Sequence, residues 1–315
     1  MNLVTKLAVT ALAALPLAAC GGAPDSAAES SEAPIVLICP ACNLAPAPQI
    51  AYSEWYQYQI HTHNTASGAD VALPLYGRHP VLSPDRSKVA FVPTDGNIYV
   101  ASAKDGSGQV KLTSSGGFDA PSWSPDGSQL VFASVGTAGY AADIYKVPAA
   151  GGSIVRLTAN GSASYPTWYF NPKFLNASTV VFQVDLTGQA SFGLVSIQAS
   201  NQSSINYLGV GGGLGDLSVS PDGTKVAFTK LHGSCGRQAV VIGNVSGTTV
   251  TNLHELICSP NDDSNYPSIG AGGLVAYQWG APYGTKTVFT LPSGGGTSKS
   301  QGISADAYSL DMSIQ

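Results

Sequence analysis

Three copies of one turn constrain the fold of this 315-residue chain more than any other feature. The turn reads Ser-Pro-Asp followed by Arg or Gly, and it occurs at Ser83–Arg86, Ser124–Gly127 and Ser220–Gly223. Each copy precedes a short apolar strand pattern with an aromatic residue, and similar patterns recur without the turn. The six aromatics are Tyr52, Phe91, Phe132, Phe182, Phe228 and Tyr277. Their spacings of 39 to 50 residues predict the blades of a β-propeller, which repeat about every 40–50 residues.

The predicted fold class is all-β: a six-bladed β-propeller with four antiparallel strands per blade. Pro is tolerated at the first residue of a strand, so we expect the opening strands to begin at Pro80, Pro121, Pro166, Leu217 and Pro267. In the third blade the segment Phe170–Lys173 takes the place of the turn motif.

The sixth blade is split between the ends of the chain. Its N-terminal part begins at Ile50, and its opening strand is predicted at Ala307–Leu310. This C-terminal strand is expected to join the N-terminal blade and close the ring, which would leave no long exposed edge.

Charge is scarce, and this scarcity excludes several classes of protein. Only 10% of the residues are charged, against about 25% in a typical soluble domain, and the net charge is −5. A coiled coil or a disordered chain needs far more charge, and a nucleic-acid-binding protein needs a basic excess. We therefore predict no nucleic-acid partner.

The N-terminus has the pattern of an export signal. Lys6 precedes an apolar run that is too short to span a bilayer, and small residues lead to Cys20. This ending resembles the lipobox of bacterial lipoproteins, in which the Cys is acylated. Alternatives are an ordinary signal peptide cut nearby or a short buried helix.

The lipobox resemblance divides the chain into three parts. These are a signal peptide over residues 1–19, an acylated Cys20 with a flexible tether over 20–45, and the propeller over 46–315. Because Gly21 rather than Asp follows the Cys, the resemblance implies a lipid anchor in the bacterial envelope, at the outer membrane facing the periplasm. We expect the protein to be a monomer.

Four cysteines remain after Cys20, in keeping with an oxidising compartment. Cys235 and Cys258 fall in one repeat, so we expect a structural disulfide between them. Cys39 and Cys42 form an isolated C-x-x-C, for which a small structural disulfide is favoured over redox activity or zinc binding.

The repeats resemble the TolB-type propeller. Its signature Pro-x-Trp-Ser-Pro-Asp-Gly, then a hydrophobic-Ala-Phe strand, Ile-Tyr, Gly-Gly and Leu-Thr, stands almost complete over residues 121–158. The resemblance covers residues 46 to 315 and implies a propeller that binds a protein or peptide partner. We expect the chain to depart from the full family protein, because only the predicted tether stands where that protein has an α/β domain before its propeller. Similar propellers also include polyuronide lyases and the gating domains of peptidases.

Motifs of catalysis are missing from the sequence. It contains no G-x-S-x-G, H-E-x-x-H or Walker A pattern. His61 and His63 share one strand face and have a spacing that can chelate a metal, although such a pair is more often a polar strand face. We predict a non-enzymatic protein with no cofactor and no metal.

The candidate site is the mouth of the central channel. The residue just before each opening strand is polar or aromatic in every repeat: His79, Asp119, Tyr165, Asp216, Tyr266 and Asp306. We expect these six side chains to converge on one rim and to bind an envelope protein or peptide. They would also be polar if they merely faced water, as in a purely structural envelope protein. A polysaccharide-binding or polyuronide-lyase-like enzyme is the alternative function.

Overall fold

The computed structural model describes residues 49–53, 58–135, 143–158, 167–186, 192–198, 201–211, 214–247, 249–282, 285–305 and 311–314. The chain divides into two compact units, Met1–Ala45 and Pro46–Gln315, and all described residues belong to the second unit. These residues form strands, apart from loops and one 3-10 turn at Ala271–Gly273. Within them no helix is long and apolar enough to cross a membrane.

The strands form six separate four-stranded antiparallel sheets. In chain order they are β1 (Gln49–Ser53), β2 (Gln59–Asn64), β3 (Asp70–Tyr76), β4 (Arg78–Leu82), β5 (Lys88–Val92), β6 (Tyr99–Ser102), β7 (Val110–Lys111), β8 (Phe118–Trp123), β9 (Gln129–Ser134), β10 (Ile144–Pro148), β11 (Val155–Arg156), β12 (Thr167–Phe174), β13 (Thr179–Leu186), β14 (Phe192–Gln198), β15 (Asn201–Gly211), β16 (Leu214–Val219), β17 (Lys225–Lys230), β18 (Ala239–Ser246), β19 (Thr249–Ile257), β20 (Asp263–Ile269), β21 (Leu274–Gly280), β22 (Lys286–Pro292), β23 (Lys299–Ala305) and β24 (Asp311–Ile314). Five sheets use four consecutive strands each: β4–β7, β8–β11, β12–β15, β16–β19 and β20–β23.

The predicted six-bladed ring is corrected in how its sheets are made and in which strand completes the last of them. Five blades are continuous in the chain, and the remaining sheet is a composite of both ends in the order β24-β1-β2-β3. Every sheet is open, with two free edges, so no sheet closes on itself. The strand that completes the composite sheet is Asp311–Ile314, paired with β1, whereas the predicted closing strand Ala307–Leu310 lies outside the described residues. The blades are also unequal, because their outer strands range from two residues in β7 and β11 to eleven in β15.

The first strands of the blades meet around the centre. β4 contacts β8 and β24, β12 contacts β8 and β16, and β20 contacts β16 and β24. Apolar side chains fill the space between neighbouring sheets, since each sheet has a buried face toward the next. Phe132, for example, lies in one core cluster with Ile98 and Val100 of the preceding blade. The repeated aromatics are therefore core residues: the four Phe side chains are at most 2% exposed.

The Ser-Pro-Asp turns are closed by their own side chains. Ser124 donates its hydroxyl to Asp126 Oδ1 at 2.6 Å, and the same oxygen accepts the Ser128 amide at 3.0 Å. Equivalent bonds join Ser83 to Asp85 and Ser220 to Asp222. The tight turn is what the motif encodes.

The interpretation of Phe170–Lys173 as the third turn is wrong. These residues lie inside strand β12, and the turn follows at Asn176, whose Oδ1 accepts the amides of Ser178 and Thr179 at 2.9 Å each. Asn forms the same type of side-chain-closed turn as Asp, so the third blade has different turn residues but a turn of the same kind.

These turns predict an acid-sensitive stability. The Ser124 hydroxyl, together with the amide and hydroxyl of Ser128, lowers the pKa of Asp126 from 3.8 to about 2, and the pKa values of Asp85 and Asp222 are lowered in the same way. A depressed folded pKa stabilises the fold above the unfolded pKa, and this contribution disappears as the pH falls through the folded pKa. We therefore expect the melting temperature to fall between about pH 4 and pH 2.

A Ser124→Ala variant separates this effect from general acid denaturation. It removes the largest cause of the pKa shift, so its thermal stability should change less over the same pH range than that of the wild type. Ser153→Ala, at an exposed position, is the control. Identical pH profiles of melting temperature for Ser124→Ala and wild type would contradict the assignment.

Candidate functional site

Each continuous blade has a β-bulge where its first strand pairs with its second. The register shifts by one residue in all five pairs, and each bulge holds a residue in the left-handed conformation. These residues, with their φ values in degrees, are His79 (50), Ala120 (50), Asn171 (48), Asp216 (40) and Tyr266 (50). A bulge re-aims the side chain it carries, and such bulges are over-represented next to functional sites.

Proline marks the bulge in the sequence. The residue after the left-handed one is Pro80, Pro121, Pro172 or Pro267 in four blades. In the fourth blade, β16–β19, it is Leu217. Since Pro cannot donate to a ladder, it is found in sheets at edge strands, strand starts and bulges. The expectation that these residues begin the opening strands is wrong: β4 begins at Arg78 and β8 at Phe118, so the prolines lie at bulges inside the strands. The predicted alignment of the third blade is therefore corrected: Pro172, rather than Pro166, is equivalent to the other prolines.

The bulged strands surround a central cavity of about 170 Å³. Three of the predicted rim residues line it, namely His79, Asp216 and Tyr266. Tyr165 and Asp306 lie outside the described residues. The cavity walls also include Trp123 and several prolines.

Asp119 sits one residue before the bulge, so the predicted alignment is corrected at this blade, where Ala120 occupies the bulge. Among the described residues, those that line the cavity do not include Asp119, whose Oδ1 lies 3.2 Å from His79 Nε2 and 3.9 Å from Arg78 Nη2. Burial alone would raise the pKa of Asp119, but His79 and Arg78 hold it below its ordinary value. This ion-pair cluster supports His79 at the mouth.

A second polar group joins the fourth and fifth blades. The buried Thr229 hydroxyl donates to Asp216 Oδ2 at 3.1 Å and accepts the Tyr266 amide at 3.2 Å. One hydroxyl therefore fixes two mouth residues from neighbouring blades, which ties the rim geometry to the packing of the blades.

Sequence reasoning missed the contribution of the third blade. Asn171 and Lys173 line the cavity, and Asn171 Nδ2 donates to Oε1 of the fully buried Gln183 at 2.7 Å. The available signal was the dipeptide Asn171-Pro172, which matches His79-Pro80 and Tyr266-Pro267.

The paired histidines form a polar cluster around one carboxylate. His61 Nδ1 lies 2.8 Å from Asp70 Oδ2, His63 Nδ1 lies 3.4 Å from Asp70 Oδ1, and Tyr52 Oη donates to Asp70 Oδ1 at 3.0 Å. Across the described ranges, no group of three or more His, Cys, Asp or Glu side chains is arranged to hold a metal ion.

Cys235 and Cys258 form the expected disulfide. It closes a loop in the fourth blade, where Glu255 also accepts the Ser234 amide at 2.9 Å. The predicted lipidation site Cys20 and the pair Cys39 and Cys42 lie outside the described residues.

Fold and site together define a β-propeller whose bulged inner strands present polar side chains to a central cavity. The sequence model of the TolB beta propeller domain matches residues 26–255. The chain belongs to this family. No curated protein matches the sequence.

Solved structures agree with this fold. TolB from Acinetobacter baumannii superposes with a TM-score of 0.66 at 18% identity, over 84% of this chain and 66% of that one. A TolB candidate from Agrobacterium tumefaciens gives 0.62 at 16% identity, over 82% and 90%. An oligogalacturonate lyase from Vibrio parahaemolyticus gives 0.50 at 12% identity, over 81% and 72%. At these identities the similarity establishes the fold alone.

Proposed function

We propose that the protein is a non-catalytic envelope lipoprotein whose channel mouth binds a protein or peptide partner. The observation that carries the proposal is the set of left-handed bulge residues around the cavity. A non-Gly residue in this conformation costs about 1–2 kcal/mol, and strain of this kind clusters at ligand-binding positions.

The chemistry of the mouth suits a polypeptide. Asp216 and the His79–Asp119 pair supply charged groups, Tyr266 supplies an aromatic surface, and Trp123 also lines the cavity. Protein interfaces concentrate binding energy in aromatic side chains placed in a pocket with a polar rim.

The non-catalytic part of the proposal is supported by the family rather than by any missing group. Lyase-like activity on a polyuronide is the outcome that an activity assay would have to exclude. The lipid anchor at Cys20 and the outer-membrane location rest on the sequence resemblance, and the monomeric state is part of the proposal.

The proposal is tested by crosslinking in cells followed by mass spectrometry. A variant with Asp119, Asp216 and Tyr266 all changed to Ala should lose the crosslinks of one envelope protein, because it removes two carboxylates and one aromatic ring from the mouth and its support. The control variant changes the outer-surface residues Tyr76, Lys104 and Asp105 to Ala and should keep them. An unchanged crosslink profile in the mouth variant would contradict the proposal.

A further inference from the structure

One lysine distinguishes the third blade from the others. Lys173 pairs with Val181 in the second strand, and the equivalent places hold Val81, Ser122, Ser218 and Ser268. All five of these cavity-facing positions, Lys173 included, line the cavity. A cation therefore stands where the other continuous blades have a small neutral side chain.

The walls around Lys173 combine prolines with the neutral hydroxyls of Ser122, Ser218 and Ser268. Pro80, Pro121 and Pro267 line the cavity and have no backbone N–H. Among the described residues that line the cavity, Lys173 is the one Lys or Arg. Attraction between opposite charges is stronger beside such low-dielectric walls than in water.

A buried amide lies in the strand that pairs with the strand of this lysine. Gln183 is 0% exposed, its Oε1 accepts from Asn171, and its Nε2 has no hydrogen-bond partner among the described residues. An unpaired buried donor costs about 1–3 kcal/mol, but Gln183 itself is not among the described residues that line the cavity. The third blade thus lines the cavity with the donors Asn171 and Lys173, whereas Asp216 in the fourth blade supplies an acceptor.

We propose that Lys173 binds a carboxylate of the partner, so that the segment entering the mouth is acidic. The carboxylate is either an Asp or Glu side chain or the C-terminus of a polypeptide. This inference rests on the proposed function and adds the chemistry of the group that is recognised. A charge-assisted hydrogen bond from Lys173 would anchor the carboxylate of the segment. The backbone amides of the segment would then face Asp216, which can accept hydrogen bonds from them.

Three peptides of one sequence test the inference on the full-length chain in detergent micelles. The probes are Ac-Gly-Ser-Glu-Ser-Gly-amide, Ac-Gly-Ser-Gln-Ser-Gly-amide and Ac-Gly-Ser-Gln-Ser-Gly with a free carboxyl end. Dissociation constants are measured by NMR titration. At least one carboxylate peptide should bind roughly tenfold tighter than the neutral amide. The arm that binds tighter identifies a side-chain or a terminal carboxylate.

Matched variants assign this preference to Lys173. Lys173→Met keeps the length of the side chain and should reduce the preference to within about twofold, whereas Lys173→Arg and the exposed-site control Lys104→Met should keep most of it. Lys173→Arg also tests the inference if Lys173→Met fails to fold.

Two results would overturn the inference: no carboxylate preference in the wild type, including no binding of any peptide, or an unchanged preference in Lys173→Met. In either case the loss of crosslinks in the mouth variant would still support the proposed function. If the proposed function fails instead, the mouth variant keeps those crosslinks, whatever dissociation constants the peptides give.

Discussion

Phe132→Ala is expected to lower the free energy of unfolding by about 3–5 kcal/mol, the usual cost of removing a buried Phe. The Phe132 ring is 0% exposed and lies edge-on to Phe118, with centroids 4.9 Å apart, and parallel to Tyr145 at 6.0 Å. It belongs to the cluster that joins the first two continuous blades, so the cavity would open between sheets that have no ladder of backbone hydrogen bonds to each other.

Urea denaturation of Phe132→Ala and of Tyr76→Ala measures this effect. Tyr76 is 59% exposed, so its removal should change the free energy by no more than about 0.5 kcal/mol. A loss below about 1 kcal/mol for Phe132→Ala would mean that the repeated aromatics do not hold the blades together.

Gly223→Ala should be nearly as damaging, although it adds a single methyl group. Gly223 has a φ of +69°, and a Cβ there would overlap the carbonyl oxygen of Leu175 in the preceding blade. The left-handed conformation costs about 1–2 kcal/mol and the overlap about 1–3 kcal/mol more.

The same turn in the second blade provides the control. Gly127 has a φ of +71°, but the nearest atom to its Cβ would be Pro84 Cδ at 3.7 Å, an ordinary contact. Gly127→Ala should therefore cost only the conformational part, about 1–2 kcal/mol. Equal losses in the two variants would show that the contact with Leu175 contributes nothing.

The local signals of the repeat predict the blades well, because each signal has a local physical cause. The aromatic of each second strand is a core residue, and Ser-Pro-Asp is a turn closed by its own side chains. The strand that completes the composite sheet is harder to predict, because its only signal is a weak apolar pattern at the chain end. The third turn cannot be found from the Ser-Pro-Asp motif, because Asn176 closes it in a different local sequence.

The candidate site is only partly predictable. The order of residues reveals a polar residue near each opening strand, but a β-bulge adds one residue to a strand and so displaces any alignment that ignores it. For this reason the sequence alignment places Asp119 one position away from the bulge and overlooks Asn171. Contacts between blades, such as Thr229 with Tyr266, depend on strand packing and have no trace in the sequence of either strand.

The central claim is that the channel mouth is the surface that binds a partner. A photo-reactive amino acid placed in cells at Tyr266 or at the exposed outer-edge residue Tyr76 tests it most directly. The account predicts a discrete covalent adduct with one envelope protein from position 266 that is absent from position 76. The same adducts from both positions, or none from position 266, would contradict it.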